Sequence, residues 1–220
     1  MIKLCVFDLD GTIADTITTI SYYGNNALKE FGLPEIEREK YKVLVGDGAV
    51  TLVERMLNEV SSDDKELFDK VYNKYIWDYD SDFMYLTEVY EGVTELIDEL
   101  KRRGVKIAVF TNKPEFTAFK VIEILLGDRV DMCIGNIEER PKKPDPTGLF
   151  EIMKNFGVTG DECLYIGDTS TDMKTGNGGG CHTVGVLWGF RDKAELEENN
   201  AEFIIEKPEE IIDIIENMQK

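Results

Sequence analysis

Short runs of apolar and β-branched residues alternate with stretches of helical period over most of the chain. Several of these runs are apolar on both faces, which is typical of strands inside a parallel sheet. The alternation predicts an α/β fold in which helices cover both sides of the sheet and ligands bind beyond the carboxyl ends of the strands. The predicted strands are Lys3–Asp8, Val105–Thr111, Val130–Gly135, Cys163–Asp168, Thr183–Leu187 and Phe203–Ile205. The predicted helices around them are Val93–Arg103, Glu115–Leu126, Gly148–Phe156 and Pro208–Met218.

The stretch from about Asp15 to Glu88 breaks this alternation, because it has helical patterns and no convincing strand. A helical block between the first strand and the rest of the sheet indicates an inserted cap domain, residues 15–87, on a core domain of residues 1–14 and 88–220. Because the block leaves the core just after the first strand, we expect it to lie over the ligand-binding edge as a lid. The predicted cap helices are Ile17–Phe31, Glu37–Val45, Val50–Glu59 and Lys65–Tyr79. The aromatic residues near its end, interpreted as hinge or cap-core residues, are Trp77, Tyr79 and Tyr85.

The composition limits the partners that the chain can bind. Its net charge is −19 over 220 residues, and no basic stripe is present, which argues against nucleic acid as a partner. An anionic substrate would need a locally positive site, built from a metal and a few placed cations. With 42% hydrophobic residues, the chain can bury a sizeable core.

The pattern also predicts the cellular environment. No uninterrupted apolar run approaches the ~20 residues that span a bilayer, so no membrane partner is expected. The chain begins directly with its first strand rather than with a signal-peptide pattern, so we expect a cytoplasmic protein. The four cysteines form no Cys-x-x-Cys pair, which favours reduced, buried thiols over a disulfide framework or a zinc site.

The first predicted strand runs straight into two carboxylates, Asp8 and Asp10, and then into a Gly-Thr turn. Two charges at the end of a buried strand repel each other and lose hydration unless something offsets both costs. A divalent cation would offset them and leave a carboxylate oxygen available as a nucleophile. Such an arrangement can perform phosphoryl transfer.

Other polar groups follow later predicted strands, at the edge where a parallel sheet places its ligands. Thr111 and Asn112 end the second strand, and a hydroxyl beside N–H groups at a helix start can bind a phosphoryl oxygen. Asp168 and Asp172 add carboxylates to this edge, and Lys143 stands between proline turns. Taken singly, Thr111 could end a strand, Asp168 could cap a helix, and Lys143 could be a surface lysine. Their order at successive strand-to-helix junctions favours a shared site.

Together these residues form four ordered motifs that resemble those of the haloacid dehalogenase superfamily. The motifs are Asp8-Leu-Asp10-Gly-Thr12, Thr111-Asn112, Lys143-Pro144 and Gly167-Asp168-x-x-x-Asp172. The second aspartate, Asp10, resembles the phosphatase branches, since the dehalogenases lack it. The resemblance implies a Rossmann-like parallel sheet core with an inserted α-helical cap domain. Stretches similar to bacterial phosphoglycolate phosphatases are Val45–Arg55, Thr111–Lys113, Lys143–Pro146 and Val184–Phe190.

This resemblance implies a catalytic role for several motif residues. Asp8 is expected to attack phosphorus and become an aspartyl phosphate. Asp10 is expected to protonate the leaving oxygen and then to deprotonate the attacking water. Lys143, Thr111 and the Asn112 N–H are expected to bind the phosphoryl group and neutralise its charge.

The resemblance also implies Mg²⁺ as the cofactor, since hard oxygen ligands suit that ion. Its expected ligands are Asp8, the backbone carbonyl of Asp10, and Asp168. Asp172 is expected to lie behind these ligands, where it would orient a metal-bound water or Lys143.

The stretch Gly46-Asp47-Gly48 in the cap is a candidate substrate loop, because glycines let a loop approach a small ligand closely. Arg55 follows one or two helical turns later, and its guanidinium could bind a carboxylate such as that of 2-phosphoglycolate. The alternative is a plain helix N-terminus followed by a solvated arginine.

The motifs favour a Mg²⁺-dependent phosphatase that acts on a small phosphorylated metabolite, with 2-phosphoglycolate as the best candidate. The same core motifs would serve an inorganic pyrophosphatase or a 5′-nucleotidase equally well. A β-phosphoglucomutase-like phosphomutase is a further alternative, as is a non-catalytic binding protein, although a binding protein has no need of the acid–base Asp10. The pattern leaves open whether the chain is a monomer or a homodimer.

Overall fold

Six parallel strands form the central sheet of the computed structural model, which describes residues 1–60 and 65–218. The strands of the chain are β1 (Leu4–Phe7), β2 (Ala14–Asp15), β3 (Glu88–Val89), β4 (Lys106–Pro114), β5 (Met132–Asn136), β6 (Cys163–Gly167), β7 (His182–Val186) and β8 (Phe203–Ile205). In the sheet the order is β5-β4-β1-β6-β7-β8, and every neighbouring pair is parallel. The predicted α/β fold is confirmed, with β1 in the interior of the sheet.

Helices cover both faces of this sheet. Along β1, Cys5 and Phe7 pack into one apolar core, whereas Leu4 and Val6 pack into another on the opposite face. Burying a side chain of this kind stabilises the fold by about 1.5–3 kcal/mol, so a strand apolar on both faces favours a covered position. The helices are α1 (Ile17–Glu30), α2 (Arg38–Leu44), α3 (Ala49–Glu59), α4 (Lys65–Ser81), α5 (Val93–Arg102), α6 (Glu115–Leu125), α7 (Thr147–Phe156), α8 (Ser170–Gly178), α9 (Lys193–Glu198) and α10 (Glu210–Asn217). Helices α5, α6 and α10 contribute to the first core, and α7 contributes to the second.

Helices α1 to α4 surround an apolar core of their own. Tyr79 is buried there, as expected for a cap-core residue, whereas Trp77 is 78% exposed and does not belong to this core. The predicted domain ranges remain predictions, and residues 61–64 and 219–220, which they include, lie outside the described residues.

The two connections between the cap helices and the sheet pair with each other. Strands β2 and β3 form an antiparallel ribbon in which Ala14 lies opposite Val89 and Asp15 lies opposite Glu88. No strand was predicted in this stretch, because two residues are too few to display an alternation of apolar and polar positions. The ribbon therefore ties the start and the end of the cap segment together.

Two further elements differ from the predicted pattern. Strand β4 continues past Thr111 to Pro114, because the pairing resumes between Pro114 and Asn136 after a shift in register. Helix α9 was not predicted, since its six residues are mostly charged and carry only one buried apolar side chain, Leu196. Both differences depend on tertiary contacts, which local sequence patterns do not display.

The structure also bears on the predicted environment. Among the residues that the structure describes, none of the helices combines the length and the apolar character that crossing a membrane requires. The four cysteines are buried and free, as predicted.

Candidate active site

Three carboxylates meet at the carboxyl ends of β1 and β6. Asp8 follows β1, Asp168 follows β6, and Asp172 lies in the first turn of α8. One oxygen from each lies within 4.8 Å of the other two, and all three residues are buried. Because burial removes the water that would screen them, these carboxylates need a positive partner. The fold therefore brings three of the predicted acidic site residues together.

Lys143 supplies a positive charge inside this cluster. Its Nζ lies 2.9 Å from Asp8 Oδ1 and 2.7 Å from Asp172 Oδ1, and its side chain is 1% exposed. Burial lowers the pKa of Lys143, but the carboxylates of Asp172 and Asp8 raise it more, so the net pKa lies well above its ordinary value. The ammonium is therefore charged at neutral pH.

One lysine does not neutralise three carboxylates. Burial and the neighbouring Asp172 raise the pKa of Asp8 to about 7, although Lys143 acts in the opposite direction. Burial, with Asp172 and Asp8, also raises the pKa of Asp168 well above its ordinary value. These shifts indicate a site that favours the binding of further positive charge.

Asp168 is held from two sides by groups that belong to the quoted motifs but for which no role was predicted. Thr12 Oγ1 donates a hydrogen bond to Asp168 Oδ1 over 3.1 Å, and the backbone N–H of Phe190 donates to Oδ2 over 2.8 Å. A Cβ on Gly11 would lie 2.3 Å from Asp168 Oδ2, and a Cβ on Gly189 would lie 2.3 Å from Asp168 Cβ. Glycine at both positions lets two loops close around this carboxylate. The glycines are visible in the sequence, but their common target is not.

Asp172 joins the start of a helix to the charged cluster. Its Oδ2 accepts hydrogen bonds from the backbone N–H of Thr169 over 3.1 Å and from the Thr169 hydroxyl over 2.7 Å, within a capping box at the start of α8. Its Oδ1 accepts from Lys143. Both oxygens are engaged by protein groups, which supports the predicted role of Asp172 in orienting Lys143.

Asp10 lies apart from the three clustered carboxylates and has a different partner. Lys113 Nζ lies 3.0 Å from Asp10 Oδ1 and donates a second hydrogen bond, of 2.7 Å, to the hydroxyl of Tyr79. The same Nζ lies 4.7 Å from the centre of the Tyr79 ring. Because Tyr79 belongs to α4, this contact links the predicted acid–base residue to the cap. Sequence analysis noted Lys113 only as part of a motif and gave it no role.

Thr111 and Asn112 lie side by side in β4, and both are buried. The Asn112 side chain has a role that sequence analysis missed. Its Oδ1 accepts from the Lys143 N–H over 2.9 Å, and its Nδ2 donates to the Lys143 carbonyl over 3.1 Å. Nδ2 also donates to the carbonyl of Gly46 in the cap, over 3.1 Å. Asn112 therefore fixes the backbone of the buried lysine and contacts the cap loop.

A cavity of about 70 Å³ lies between the core residues and the cap. Asp8, Asp10 and Thr111 line it on the core side, where the predicted chemistry is located. Its cap side is largely apolar and includes Ile20, Leu52, Tyr75 and Ile76. A cavity of this kind suits a small ligand whose polar end faces the core.

The order of these residues along the chain matches a known family. The family model for haloacid dehalogenase-like hydrolases matches residues 5–186, a range that contains all four predicted motifs. The chain belongs to this family. The resemblance stated from the motifs alone is thereby confirmed.

Curated relatives of this haloacid dehalogenase-like hydrolase cover nearly its whole length. A phosphoglycolate phosphatase of Pseudomonas savastanoi pv. phaseolicola is 33% identical over 214 residues, which are 96% of this chain and 78% of the relative. A phosphoglycolate phosphatase of Aquifex aeolicus is 28% identical over 216 residues, 98% of this chain and 97% of the relative. The similarity therefore includes the cap as well as the sheet.

Solved structures have the same fold. A crystal structure from Lactobacillus delbrueckii subsp. bulgaricus matches with a TM-score of 0.92 at 27% identity, over 97% of this chain and 98% of the other. That of a predicted phosphoglycolate phosphatase from Haemophilus somnus matches with a TM-score of 0.91 at 24% identity, over 97% and 98%. At 24% identity the second match is evidence for the fold alone.

The cap loop of this hydrolase reaches the cavity through its glycines. Gly46 and Gly48 line the cavity, whereas the Asp47 carboxylate accepts a hydrogen bond of 3.0 Å from the Thr171 hydroxyl of the core and pairs with Arg55. Arg55 is not one of the described residues around the cavity. The structure thus places two predicted cap residues at the cavity and two beside it, and their roles remain predictions.

The donor set of this hydrolase suits a divalent metal. Asp8 and Asp168 offer carboxylate oxygens that lie within 4.8 Å of each other and of Asp172. Hard oxygen donors of this kind prefer cations such as Mg²⁺, Mn²⁺ or Ca²⁺ over softer metals. The excess of buried negative charge beside Lys143 gives such a cation a strong electrostatic reason to bind.

Proposed function

We propose that this chain is a Mg²⁺-dependent phosphatase that hydrolyses a small phosphate monoester through an aspartyl phosphate on Asp8. The observation that carries the proposal is the position of Asp8, which lines the cavity while its Oδ1 is bound by Lys143. A carboxylate at a cavity wall can reach a phosphorus atom, and the nearby lysine can neutralise charge on the transferring group.

The first step transfers the phosphoryl group to the protein. An Asp8 oxygen attacks phosphorus in line with the leaving oxygen, and the bond from phosphorus to that oxygen breaks as the new bond forms. For this step Asp10 must carry a proton, which it donates to the departing oxygen, so that the first product leaves as an alcohol. Asp10 lines the same cavity as Asp8, so it can reach the departing oxygen there.

The second step releases inorganic phosphate. The carboxylate of Asp10 takes a proton from a water molecule, and the oxygen of that water attacks the phosphorus held on Asp8. The bond between phosphorus and Asp8 breaks, Asp8 returns as a carboxylate, and Asp10 ends protonated, as it began. A positioned acid–base group of this kind contributes about 10²–10⁴ in rate.

Other side chains position the phosphoryl group. Thr111 and the Asn112 N–H are proposed to donate to its oxygens, and Lys143 to hold its charge beside Asp8. Mg²⁺ held by Asp8, Asp168 and the Asp10 carbonyl would supply charge that reduces the repulsion between Asp8 and an anionic substrate.

2-Phosphoglycolate is the substrate that we propose. The Pseudomonas and Aquifex relatives are named phosphoglycolate phosphatases. The cavity, about 70 Å³ in volume, supports a short substrate over a nucleotide. The negative charge of the whole chain is compatible with such an anion, because the local site combines a lysine with a cluster that attracts a metal.

A panel of phosphate esters, pyrophosphate and nucleotides tests the proposal, with phosphate release ranked by kcat/KM in the presence of Mg²⁺. We expect 2-phosphoglycolate to rank first, EDTA to abolish turnover, and Asp8→Asn to eliminate it. Acid-quenched protein should carry a phosphoryl group on Asp8 in mass spectrometry. Asp69→Asn, which changes an exposed aspartate on α4, is the matched control and should leave the rates unchanged.

The same panel decides between the alternatives. Preferred turnover of pyrophosphate or of nucleotides would replace the proposed function with a pyrophosphatase or a 5′-nucleotidase. Isomerisation of a sugar 1-phosphate faster than its hydrolysis would indicate a phosphomutase. Full turnover in cleanly purified Asp8→Asn would rule out the covalent mechanism.

A further inference from the structure

Lys113 is a buried cation at the cavity to which the proposed chemistry assigns no task. Its side chain is 5% exposed, and among the cavity residues in the described part of the chain it is the only one with a positive charge. The acidic side chains that share the cavity wall are those of Asp8, Asp10 and Asp80. A buried ammonium at the wall of a substrate cavity is well placed to bind an anionic part of the substrate.

The ammonium of Lys113 has bonding capacity left. Two of its three N–H donors are used, one by Asp10 over 3.0 Å and one by the Tyr79 hydroxyl over 2.7 Å. Burial lowers the pKa of Lys113, but Asp10 and Tyr79 raise it more, so the net pKa lies above its ordinary value and the group is charged. The third N–H can therefore donate to a ligand in the cavity.

The neighbouring cations of the cap and core do not line the cavity. Arg55 pairs with Asp47 and donates to the carbonyl of Leu44 over 2.9 Å. Lys142 Nζ donates to the Asp47 carbonyl over 2.7 Å. Arg191 donates to the carbonyl of Val45 over 2.8 Å, and its Nε lies 3.0 Å from Glu195 Oε2. Its buried Nη1 has no hydrogen-bond partner among the described residues, but Arg191 does not line the cavity. These contacts leave Lys113 as the cation best placed to bind a second anionic group.

The contact with Asp10 limits how long the substrate is. Asp10 is proposed to protonate the leaving oxygen, and Lys113 Nζ lies 3.0 Å from Asp10 Oδ1. An anionic group that binds Lys113 must therefore be attached within a few bonds of the ester oxygen. A carboxylate attached directly to the carbon that carries the ester oxygen satisfies this requirement.

We propose that Lys113 is a specificity-determining residue that binds the carboxylate of a short phosphorylated carboxylic acid, and that Tyr79 orients its ammonium from the cap. The proposal rests on the function proposed above. It assigns the recognition of the second charge to the core strand β4 rather than to Arg55 of the cap.

Two substrates of the same chain length, one with a charged end group and one with a neutral end group, test this assignment. They are 2-phosphoglycolate and 2-hydroxyethyl phosphate, in which a neutral alcohol replaces the carboxylate. Lys113→Met keeps the length of the side chain and removes its charge. We expect kcat/KM for 2-phosphoglycolate to fall by about 10- to 100-fold, as for the loss of a charge-assisted hydrogen bond. The value for 2-hydroxyethyl phosphate should fall much less, so the ratio between the substrates should collapse.

Further variants guard against a trivial loss of folding. Lys113→Arg retains the charge and should keep part of the ratio, whereas Tyr79→Phe should lower the ratio through the orientation of the ammonium. Lys154→Met, on an exposed face of α7, is the matched control and should leave the ratio unchanged.

Equal losses for both substrates in Lys113→Met would overturn the proposal, because Lys113 would then act only through Asp10. An unchanged ratio in both Lys113→Met and Tyr79→Phe would overturn it as well. The proposed function is judged separately, on the wild-type turnover of 2-phosphoglycolate. Its absence would overturn both proposals, whereas its presence with unchanged ratios in the variants would overturn only the role of Lys113.

Discussion

The Thr171 hydroxyl in the first turn of α8 donates a hydrogen bond of 3.0 Å to the Asp47 carboxylate in the cap loop. Thr171 is the residue before Asp172, which holds the buried Lys143. The contact that fastens the cap is therefore one residue away from the contact that orders the charged cluster.

The same arrangement recurs at two other motifs. Asn112, next to Thr111, donates to the carbonyl of Gly46, and Lys142, next to Lys143, donates to the carbonyl of Asp47. Each of these three core residues, which bind the cap loop, is a sequence neighbour of a predicted site residue. Closing the cap and ordering the site are thus expected to reinforce each other.

Thr171→Val should weaken the closed position of the cap. The change removes one hydrogen bond to a charged acceptor and keeps the shape of the side chain, so we expect kcat/KM to fall by about 3- to 30-fold. The effect should fall mainly on KM, because substrate binding favours the closed form. Thr94→Val on α5 is the control, and equal kinetics for the two variants would contradict the prediction.

Gly189→Ala should disturb the metal site. The added Cβ would lie 2.3 Å from Asp168 Cβ and 2.4 Å from the carbonyl oxygen of Gly11, so the backbone around the carboxylate must move. We expect the concentration of Mg²⁺ needed for half-maximal activity to rise about 10- to 100-fold, as for other disturbed supports of a metal ligand.

The matched control for Gly189→Ala is Gly178→Ala. Gly178 is the last residue of α8, and a Cβ there would make an ordinary contact of 3.4 Å with Pro146 Cγ. The change should stabilise the helix by up to about 1 kcal/mol and leave the Mg²⁺ dependence unchanged. Identical Mg²⁺ titrations for the two alanine variants would refute the role given to Gly189.

Lys143→Met should destabilise the metal-free protein. The change leaves Asp8 and Asp172 buried without their lysine, and breaking a buried ion pair in this way costs about 3–5 kcal/mol. Lys106→Met removes a surface pair with Asp131, whose lysine is 54% exposed, and should cost only about 0–1 kcal/mol. Urea unfolding near neutral pH measures both free energies. A loss for Lys143→Met no larger than that for Lys106→Met would be inconsistent with the buried cluster.

The contribution of Asp8 to the stability of the metal-free protein should decrease as pH rises. Burial and Asp172 raise the pKa of Asp8 from 3.8 to about 7. Between these values the folded state holds a proton that the unfolded state has released, so the free energy of unfolding decreases with pH and levels off above about 7. Mg²⁺ needs the ionised carboxylates, so its stabilising effect should grow over the same interval.

The test compares wild type and Asp8→Asn in urea unfolding from about pH 5 to pH 8, with and without Mg²⁺. Without the metal, the wild-type free energy of unfolding should decrease relative to that of the variant, by on the order of 2 kcal/mol. A difference between the two proteins that does not depend on pH would contradict the raised pKa of Asp8.

Features that local patterns encode could be predicted from the sequence. The apolar run of β1 ends in Asp8 and that of β6 ends in Asp168, and parallel strands deliver both to one edge of the sheet. The hydrogen bond between Lys113 and Tyr79 could not be predicted, because periodicity places Tyr79 on a buried helix face without saying against which core residue the helix packs. Arg55 shows the same limit, since its spacing allows contact with a ligand but the structure pairs it with Asp47.

The β2–β3 ribbon makes the chain leave the core at Ala14–Asp15 and return beside it at Glu88–Val89. Segments whose ends lie side by side can be replaced without rerouting the rest of the fold. A different helical module joined at these two points would present new recognition residues to an unchanged reaction centre. The part of substrate recognition that the cap supplies is therefore exchangeable, and the ribbon marks where a chimera should be joined.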